Sequence, residues 1–159
     1  MIRAAAILAA SAAMLASAQA QLAPALSEGP VDITGDRLEV IDDVATWTGN
    51  VRAVQGEAIL SADRLVANRS ADGDFDRLTA EGSVRYSNGK EAITGKVGVY
   101  DASARTITIS QDVVVTQGEQ VMTGGELVYW IDTGKILFTA PSGRRIRGIF
   151  YAKGSGNQS

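Results

Sequence analysis

The chain has 159 residues, of which 45% are hydrophobic and 21% are charged, and it contains neither cysteine nor histidine. This composition is typical of one folded domain rather than of a disordered chain. The missing cysteine excludes disulfides and zinc ribbons, and the missing histidine removes the commonest general base and transition-metal ligand. The net charge of −3 disfavours nucleic-acid binding, which usually requires a basic surface.

The first twenty residues have the pattern of a secretory signal peptide. Arg3 supplies a short positive region, residues 4–15 are almost entirely apolar, and Ala18-Gln19-Ala20 forms a small-x-small cleavage motif. This apolar run is shorter than the roughly 20 residues that a membrane-spanning helix needs. We therefore expect a signal peptide at residues 1–20, cleavage before Gln21 and export to the bacterial periplasm.

The remaining chain is predicted to form strands. Residues 21–30 contain two prolines and a glycine and are expected to form a flexible leader, before a folded domain at residues 31–150 and a disordered tail at residues 151–159. Within the domain, apolar and polar residues alternate, as Leu78 and Ala80 do with their polar neighbours, and this period of two is that of a strand. Turn signals separate the alternating runs: Gln55-Gly56, Asp72-Gly73, Asn88-Gly89, Gln117-Gly118 and Thr133-Gly134.

A repeat of two short elements organises the domain. The first element occurs four times, as ITGDRLEV, LSADRLVA, ITGKVGVY and MTGGELVY, beginning at Ile33, Leu60, Ile93 and Met122. The second element occurs three times, as NVRAVQG, SVRYSNG and DVVVTQG, and its spacings of 33 and 29 residues match those of the first. Each repeat is therefore predicted to contain two strands and two turns.

Residues 57–69 would alone suit a short helix, because they are rich in helix-forming residues. The repeat aligns LSADRLVA with ITGKVGVY, which contains β-branched residues, and this alignment favours a strand instead.

The apolar residues of the first element change faces midway along it. Leu60 and Leu65 have opposite parities, as do Met122 and Leu127, so a bulge or bend must shift the pleat if both are to point inward. Small residues stand at this place in the four copies: Gly35, Ala62, Gly95 and Gly124. We predict an all-β fold, an open and bent β-jellyroll, in which a two-sheet sandwich of repeated two-strand units encloses an apolar groove.

Few residues suggest catalytic chemistry. Asp72, Asp74 and Asp76 resemble part of a calcium loop, but the distal glutamate is missing, so we favour a solvated hairpin loop. No two carboxylates can be assigned to a common cleft, as glycoside hydrolysis would require. We expect no enzymatic activity, no metal and no cofactor.

Arg144, Arg145 and Arg147 form a basic cluster near the C-terminus. Two interpretations stay open. The cluster is a soluble edge that discourages aggregation, or it binds phosphate or another anion, which arginine can grip through two parallel hydrogen bonds.

Four segments, ITGDRLEV, ATWTGNVRAVQGEAILSADRLV, FDRLTAEGSVRYSNGKEAITGKVGVYD and DVVVTQGEQVMTGGELVYW, resemble the OstA-like family over residues 31–138. The resemblance implies a periplasmic β-jellyroll that bridges the inner and outer membranes and carries the acyl chains of lipid A for outer-membrane assembly. The implied partners are lipopolysaccharide, the membrane components of its export machinery at both ends, and further copies of the chain in a head-to-tail homo-oligomer, with no nucleic acid.

The resemblance also matches the family's lipid-facing positions to Val31, Ile33, Tyr86, Tyr100 and Ala102. With the inward apolar rows, these positions other than Ala102 give the predicted lipid-binding set: Val31, Ile33, Leu38, Val40, Trp47, Val51, Leu65, Val84, Tyr86, Tyr100, Ile107, Ile109, Val113, Val115, Leu127, Tyr129 and Phe138. The alternative function is a structural envelope adaptor that has a fully packed core, pairs through edge strands and carries no lipid.

Overall fold

The computed structural model of the chain describes residues 30–151. The predicted signal peptide, nearly all of the predicted leader and nearly all of the predicted tail lie outside the described residues. Within them, no helix is long and apolar enough to cross a bilayer. The described residues form ten strands: β1 (Asp32–Thr34), β2 (Arg37–Ile41), β3 (Val44–Gln55), β4 (Ala58–Arg69), β5 (Phe75–Ser87), β6 (Glu91–Asp101), β7 (Thr106–Gln117), β8 (Gln120–Trp130), β9 (Lys135–Thr139) and β10 (Arg147–Ile149).

All ten strands belong to one antiparallel sheet. The long strands β3 to β8 pair in chain order, so the centre of the sheet is a series of hairpins. Both β1 and β2 pair with β3, and both β9 and β10 pair with β8. The sheet therefore stays open, with β1 and β2 forming its first edge and β9 and β10 its last edge. The prediction of an all-β, open jellyroll is confirmed.

The predicted repeat corresponds to the hairpins of this sheet. The segments that begin at Leu60, Ile93 and Met122 lie in β4, β6 and β8, and the copy that begins at Ile33 is divided between β1 and β2. Every predicted turn signal lies at a hairpin turn. The stretch that alone would suit a helix is strand β4, as the repeat predicts.

Each long strand bends near its middle at a β-bulge. Thr48 and Val51 of β3 pair with Arg64 and Ala62 of β4, so two residues of β3 face the single residue Asp63. A register shift recurs at the same place in each following pair of long strands, with two residues opposite one in β5–β6 and β7–β8 and three opposite two in β4–β5 and β6–β7. These aligned bulges form a line, the corner, that divides the sheet into an A half containing β2 and β9 and a B half containing β1 and β10.

Strands β3, β5 and β7 cross the corner on two consecutive residues with positive φ. These pairs are Gly49 (77°) with Asn50 (47°), Gly82 (76°) with Ser83 (47°), and Gln111 (66°) with Asp112 (55°). Side-chain contacts are made by two of these corner residues, Asn50 and Asp112. The Asn50 amide donates to Asp36 at 2.9 Å, and Lys96 lies 2.9 Å from the Asp112 carboxylate, whose pKa it holds below the ordinary value by hydrogen bonding and charge.

The four small residues predicted at the bend do lie beside the corner. Gly35 separates β1 from β2, and Ala62, Gly95 and Gly124 each pair with the residue directly after a bulge. The prediction therefore locates the corner, but the left-handed backbone lies on the strands of the second element.

The inner faces of the two halves pack against each other in two apolar clusters. The first cluster contains Val51, Ala62, Leu65, Ala80 and Val84, with Ile33, Trp47, Leu60 and Leu78 packed around it. The second cluster contains Ile93, Ile109, Val113, Val115, Leu127 and Tyr129. Since each cluster joins residues of the A half to residues of the B half, the halves face each other as two layers of one folded sheet.

The corner glycines give a stability prediction. At Gly82 an added Cβ would have both an unfavourable positive φ and a clash with the Asp63 side chain, whereas Gly73, with a φ of 90°, has open space around it. We expect Gly73→Ala to lower the free energy of unfolding by about 1–2 kcal/mol through backbone strain alone. Gly82→Ala should cost a further 1–3 kcal/mol, roughly, because of the overlap. Urea denaturation of both variants measures the difference, and equal losses would contradict a close approach at the corner.

Candidate functional site

An apolar cavity of about 430 Å³ lies between the two halves, towards the first edge of the sheet. Its mouth includes Val31 and Phe75, whose exposed fractions are 46% and 37%. The lining is apolar except for the Gln55 amide and the two tyrosine hydroxyls. The lining residues are Val31, Ala53, Gln55, Ala58, Leu60, Leu65, Phe75, Leu78, Ala80, Val84, Tyr86, Gly98, Val99, Tyr100, Ile107 and Ile109.

The volumes of the inward side chains explain where the cavity lies. One inward row of the A half contains Leu65, Ala80 and Gly98, which pair in succession. Two of these three residues are small, so the side chains of this row fill little volume at Ala80 and Gly98. Ala53 and Ala58 are also small and line the facing B half. Because protein interiors otherwise pack densely, such a run of small inward residues leaves unfilled space.

Towards the last edge the same rows carry large side chains. Ile109, Leu127 and Phe138 continue the row that contains Gly98, and Leu127 is only 2% exposed. The second cluster packs the interior beyond the cavity, whose lining ends at Ile107 and Ile109 of β7. The groove is therefore open in its first part and closed in its second part.

The structure places the predicted lipid-binding residues in three environments. Seven line the cavity: Val31, Leu65, Val84, Tyr86, Tyr100, Ile107 and Ile109.

Eight others pack in or around the two clusters without lining the cavity. These are Ile33, Trp47, Val51, Val113, Val115, Leu127, Tyr129 and Phe138. Leu38 and Val40 are 53% and 60% exposed on the edge strand β2. Ala102 lies in the turn between β6 and β7.

Several cavity residues were missed by the sequence prediction. Leu60 and Leu78 pair directly with Tyr86 and Tyr100, so the inward rows could have identified them once the hairpin register was known. The small residues could not have been identified in this way. An alanine or glycine such as Ala80 or Gly98 indicates a cavity only when the side chains that surround it are known.

The charges of the two edges are opposite. Residues 30–43, which contain β1 and β2, carry five acidic residues and one arginine. Residues 133–151, which contain β9 and β10, carry four basic residues and no acidic one. Arg144, Arg145 and Arg147 belong to this last edge, where all three are exposed.

Glu91 is the only charged residue among the buried residues of the described chain, with an exposed fraction of 4%. It begins β6, and its Oε1 accepts a hydrogen bond of 3.1 Å from the Gln117 amide. Its Oε2 is buried without a partner. Burial raises the pKa of Glu91 above the ordinary 4.5, and the adjacent Lys90 ammonium opposes this shift more weakly.

The carboxylates of the described residues do not converge on a common point. Asp72 and Asp74 lie in the exposed turn between β4 and β5, and Asp76 lies in β5. Within residues 30–151, no group of three acidic side chains is arranged to hold a metal ion. The apolar cavity between the two halves has the shape and the lining that suit an apolar ligand.

Comparison with known proteins identifies the family. The family described as "LptA/(LptD N-terminal domain) LPS transport protein" matches residues 32–135, which covers all but the last-edge strands of the folded sheet. The chain belongs to this family. The fold of the LptA family therefore provides the setting for the cavity between the two halves.

Two individual proteins agree with this assignment. An uncharacterized protein from Rhizobium meliloti is 32% identical over 129 residues, which cover 74% of this chain and 69% of that protein. The crystal structure of LptH from Pseudomonas aeruginosa superposes with a TM-score of 0.65, at 19% identity, over 79% of this chain and 97% of that one. LptH is described as the LptA homologous periplasmic component of the conserved lipopolysaccharide transport device. Its similarity to this chain shows the shared fold.

Glu91 gives a pH prediction. Because its pKa is higher in the folded state, the folded state binds this proton more tightly than the unfolded state. The contribution of Glu91 to stability should therefore be present below about pH 4.5 and be lost as the pH rises through the raised pKa. As the pH rises across this window, the free energy of unfolding of the wild type should fall relative to that of Glu91→Gln. The expected fall is on the order of 1 kcal/mol, as for one unsatisfied buried group. Urea denaturation from pH 4 to 8, roughly, measures it, with Glu119→Gln in an exposed turn as the control. A difference that does not change with pH would contradict the burial of the carboxylate.

Proposed function

We propose that the protein is a periplasmic carrier of lipopolysaccharide that bridges the inner and outer membranes and holds acyl chains of lipid A in its apolar cavity. The observation that carries this proposal is the cavity of about 430 Å³, which the folded sheet leaves open in a member of the LptA family. Within residues 30–151 no group of three or more acidic side chains is arranged to hold a metal ion, and the family name supports a transport role.

The energetics of moving a lipid through water support this role. Each exposed CH₂ group costs about 0.8 kcal/mol, so a chain of twelve carbons costs about 10 kcal/mol. A lipid with several such chains faces tens of kcal/mol and leaves a membrane too slowly without help. An apolar cavity removes most of this cost by giving the chains a dry surface, and it needs no catalytic residue to do so.

We propose export through the signal peptide at residues 1–20, with residues 31–150 as the carrier domain. The signal-like pattern of Arg3, the apolar run and Ala18-Gln19-Ala20 supports this location. The periplasmic description of LptH, which shares the fold, supports it as well.

We further propose that copies of the chain stack head to tail. Apart from Phe75 at the cavity mouth, every large hydrophobic residue that the described chain exposes lies at an edge of the sheet: Val31, Leu38, Val40, Ile41, Leu137, Ile146, Ile149, Phe150 and Tyr151. An unpaired edge strand can accept another strand. The acidic first edge attracts the basic last edge of a second copy, and two like edges repel.

Filling the cavity should abolish lipid binding. Ala58 lines the cavity at the end of the B half, and a tryptophan there would occupy the space of an acyl chain. Ala92 lies on the opposite face of the same half, since it pairs with Ser87 and Thr116 outside the inward rows. We expect Ala58→Trp to weaken binding of lipopolysaccharide and of diphenylhexatriene, an apolar fluorescent dye, by at least about tenfold, which corresponds to about 1.4 kcal/mol. Ala92→Trp should bind both as the wild type does.

Fluorescence titration measures both affinities. If the wild type binds neither ligand, the structural adaptor is the better function. Equal binding by the wild type and Ala58→Trp would show that the cavity is not the site.

Association between edges should depend on salt and on the arginines of the last edge. Arg147 lies in β10 and is exposed, and reversal of its charge by Arg147→Glu removes part of the attraction to an acidic first edge. We expect several-fold weaker self-association in sedimentation velocity at low salt, and weaker association of the wild type as salt rises. Arg85→Glu makes the same charge change on the central strand β5 and should have little effect. Self-association that is insensitive to Arg147→Glu would contradict edge-to-edge stacking.

A further inference from the structure

A polar row bounds the apolar interior at the outer end of the B half. Gln117 pairs with both Glu91 and Gln120. Towards the first edge of the sheet, Gln55 pairs with Ala58 at the same end of the B half. We call Gln55, Glu91, Gln117 and Gln120 the polar row. They lie at one distance from the corner on the same face of the sheet as Ile93, with Ala58 as the apolar member of the row on β4 and Gln120 exposed at the start of β8.

The next row towards the corner is apolar throughout. From β3 to β8 its members pair in succession: Ala53, Leu60, Tyr86, Ile93, Val115 and Met122. The inner face of the B half therefore changes from apolar to polar within one step of two residues, about 7 Å along a strand. An amphiphile with its chains against the apolar row places its polar part against the polar row.

Glu91 is the member of this row whose carboxylate is satisfied at only one of its two oxygens. Its side chain lies on the same face as Ile93 of the second cluster, and only 4% of the residue is exposed to solvent. The Gln117 amide satisfies Oε1, and Oε2 is a buried acceptor without a donor. Leaving such a group unsatisfied costs free energy that an apolar residue at this position would avoid.

We propose that the polar row is a binding site for the uncharged polar part of a glycolipid, with Glu91 Oε2 accepting a hydrogen bond from a hydroxyl or amide N–H of the sugar backbone. This inference rests on the proposed function and adds the recognition of the headgroup to it. This contact requires that an acyl chain entering the second part of the groove separates Ile93 from the facing layer and thereby uncovers Glu91, since both side chains are buried in this structure. The donor that Oε2 lacks then comes from the ligand.

The chemistry of the row selects hydroxyl and amide groups over phosphate. Its members are three amides and one carboxylate, and no lysine or arginine belongs to it. A carboxylate repels a phosphate and accepts strongly from a neutral donor. Charged phosphates of the same lipid would therefore lie away from this row.

The test compares two ligands on Glu91 variants. Glu91→Leu removes the acceptor, and Glu91→Gln keeps one acceptor oxygen without the charge. We expect Glu91→Leu to bind purified lipopolysaccharide about tenfold more weakly, Glu91→Gln to be intermediate, and both to bind diphenylhexatriene, which has no hydrogen-bonding group, as the wild type does. Glu126→Leu, at an exposed position on the outer face of β8, is the matched control and should leave both affinities unchanged.

Three outcomes would overturn the inference. Unchanged binding of lipopolysaccharide by Glu91→Leu would make Glu91 a purely structural residue. An equal loss for both ligands would indicate a changed cavity rather than a lost hydrogen bond, and urea denaturation of each variant would show whether folding had changed. A wild type that binds neither ligand would overturn the proposed function together with this inference, whereas the first two outcomes leave lipid carriage intact.

Discussion

The volume of the inward side chains is the constraint on which the rest of this structure depends. The corner joins the two halves of the folded sheet as facing layers. Each part of the interior is therefore filled or empty according to the volume of the side chains that its rows contribute. Ala80 and Gly98 leave the first part open, and Leu127 and Phe138 close the second part. The function that we propose follows from this uneven filling of a repeated series of hairpins.

Much of the fold could be predicted from local pattern. The alternation of apolar and polar residues gives the strands, the turn signals give the hairpins, and the repeat corrects the helix-like stretch in β4. The corner was only partly predictable. A glycine followed by asparagine, as at Gly49 and Asn50, favours left-handed backbone, and so to a lesser degree does Asp112, but Gln111 adopts it without any such signal. Gln111 lies where β7 is out of register with both of its neighbours, which its own residue type does not predict.

The candidate site was less predictable than the fold, for two physical reasons. A cavity is a property of side chains on strands far apart in sequence, and alternation alone cannot distinguish Leu65, which lines the cavity, from Leu127, which fills the core. Burial of a polar group also depends on the opposite layer. Glu91 follows an Asn-Gly-Lys turn that is typical of a solvated loop, yet the folded sheet covers its side chain.

The left-handed pairs at the corner recur after 33 and then 29 residues, and the hairpin turns between β4 and β5 and between β6 and β7 lie within these two intervals. Differences in repeat length are thus taken up at the tips of the hairpins, where extra residues disturb no pairing. A single-residue insertion between the corner and the tip of a hairpin would move every side chain of the outer part of that strand to the opposite face of the sheet. The apolar side chains would then be exposed to solvent. The architecture can accordingly lengthen by the addition of complete hairpins, and such an addition leaves the cross-section of the folded sheet unchanged.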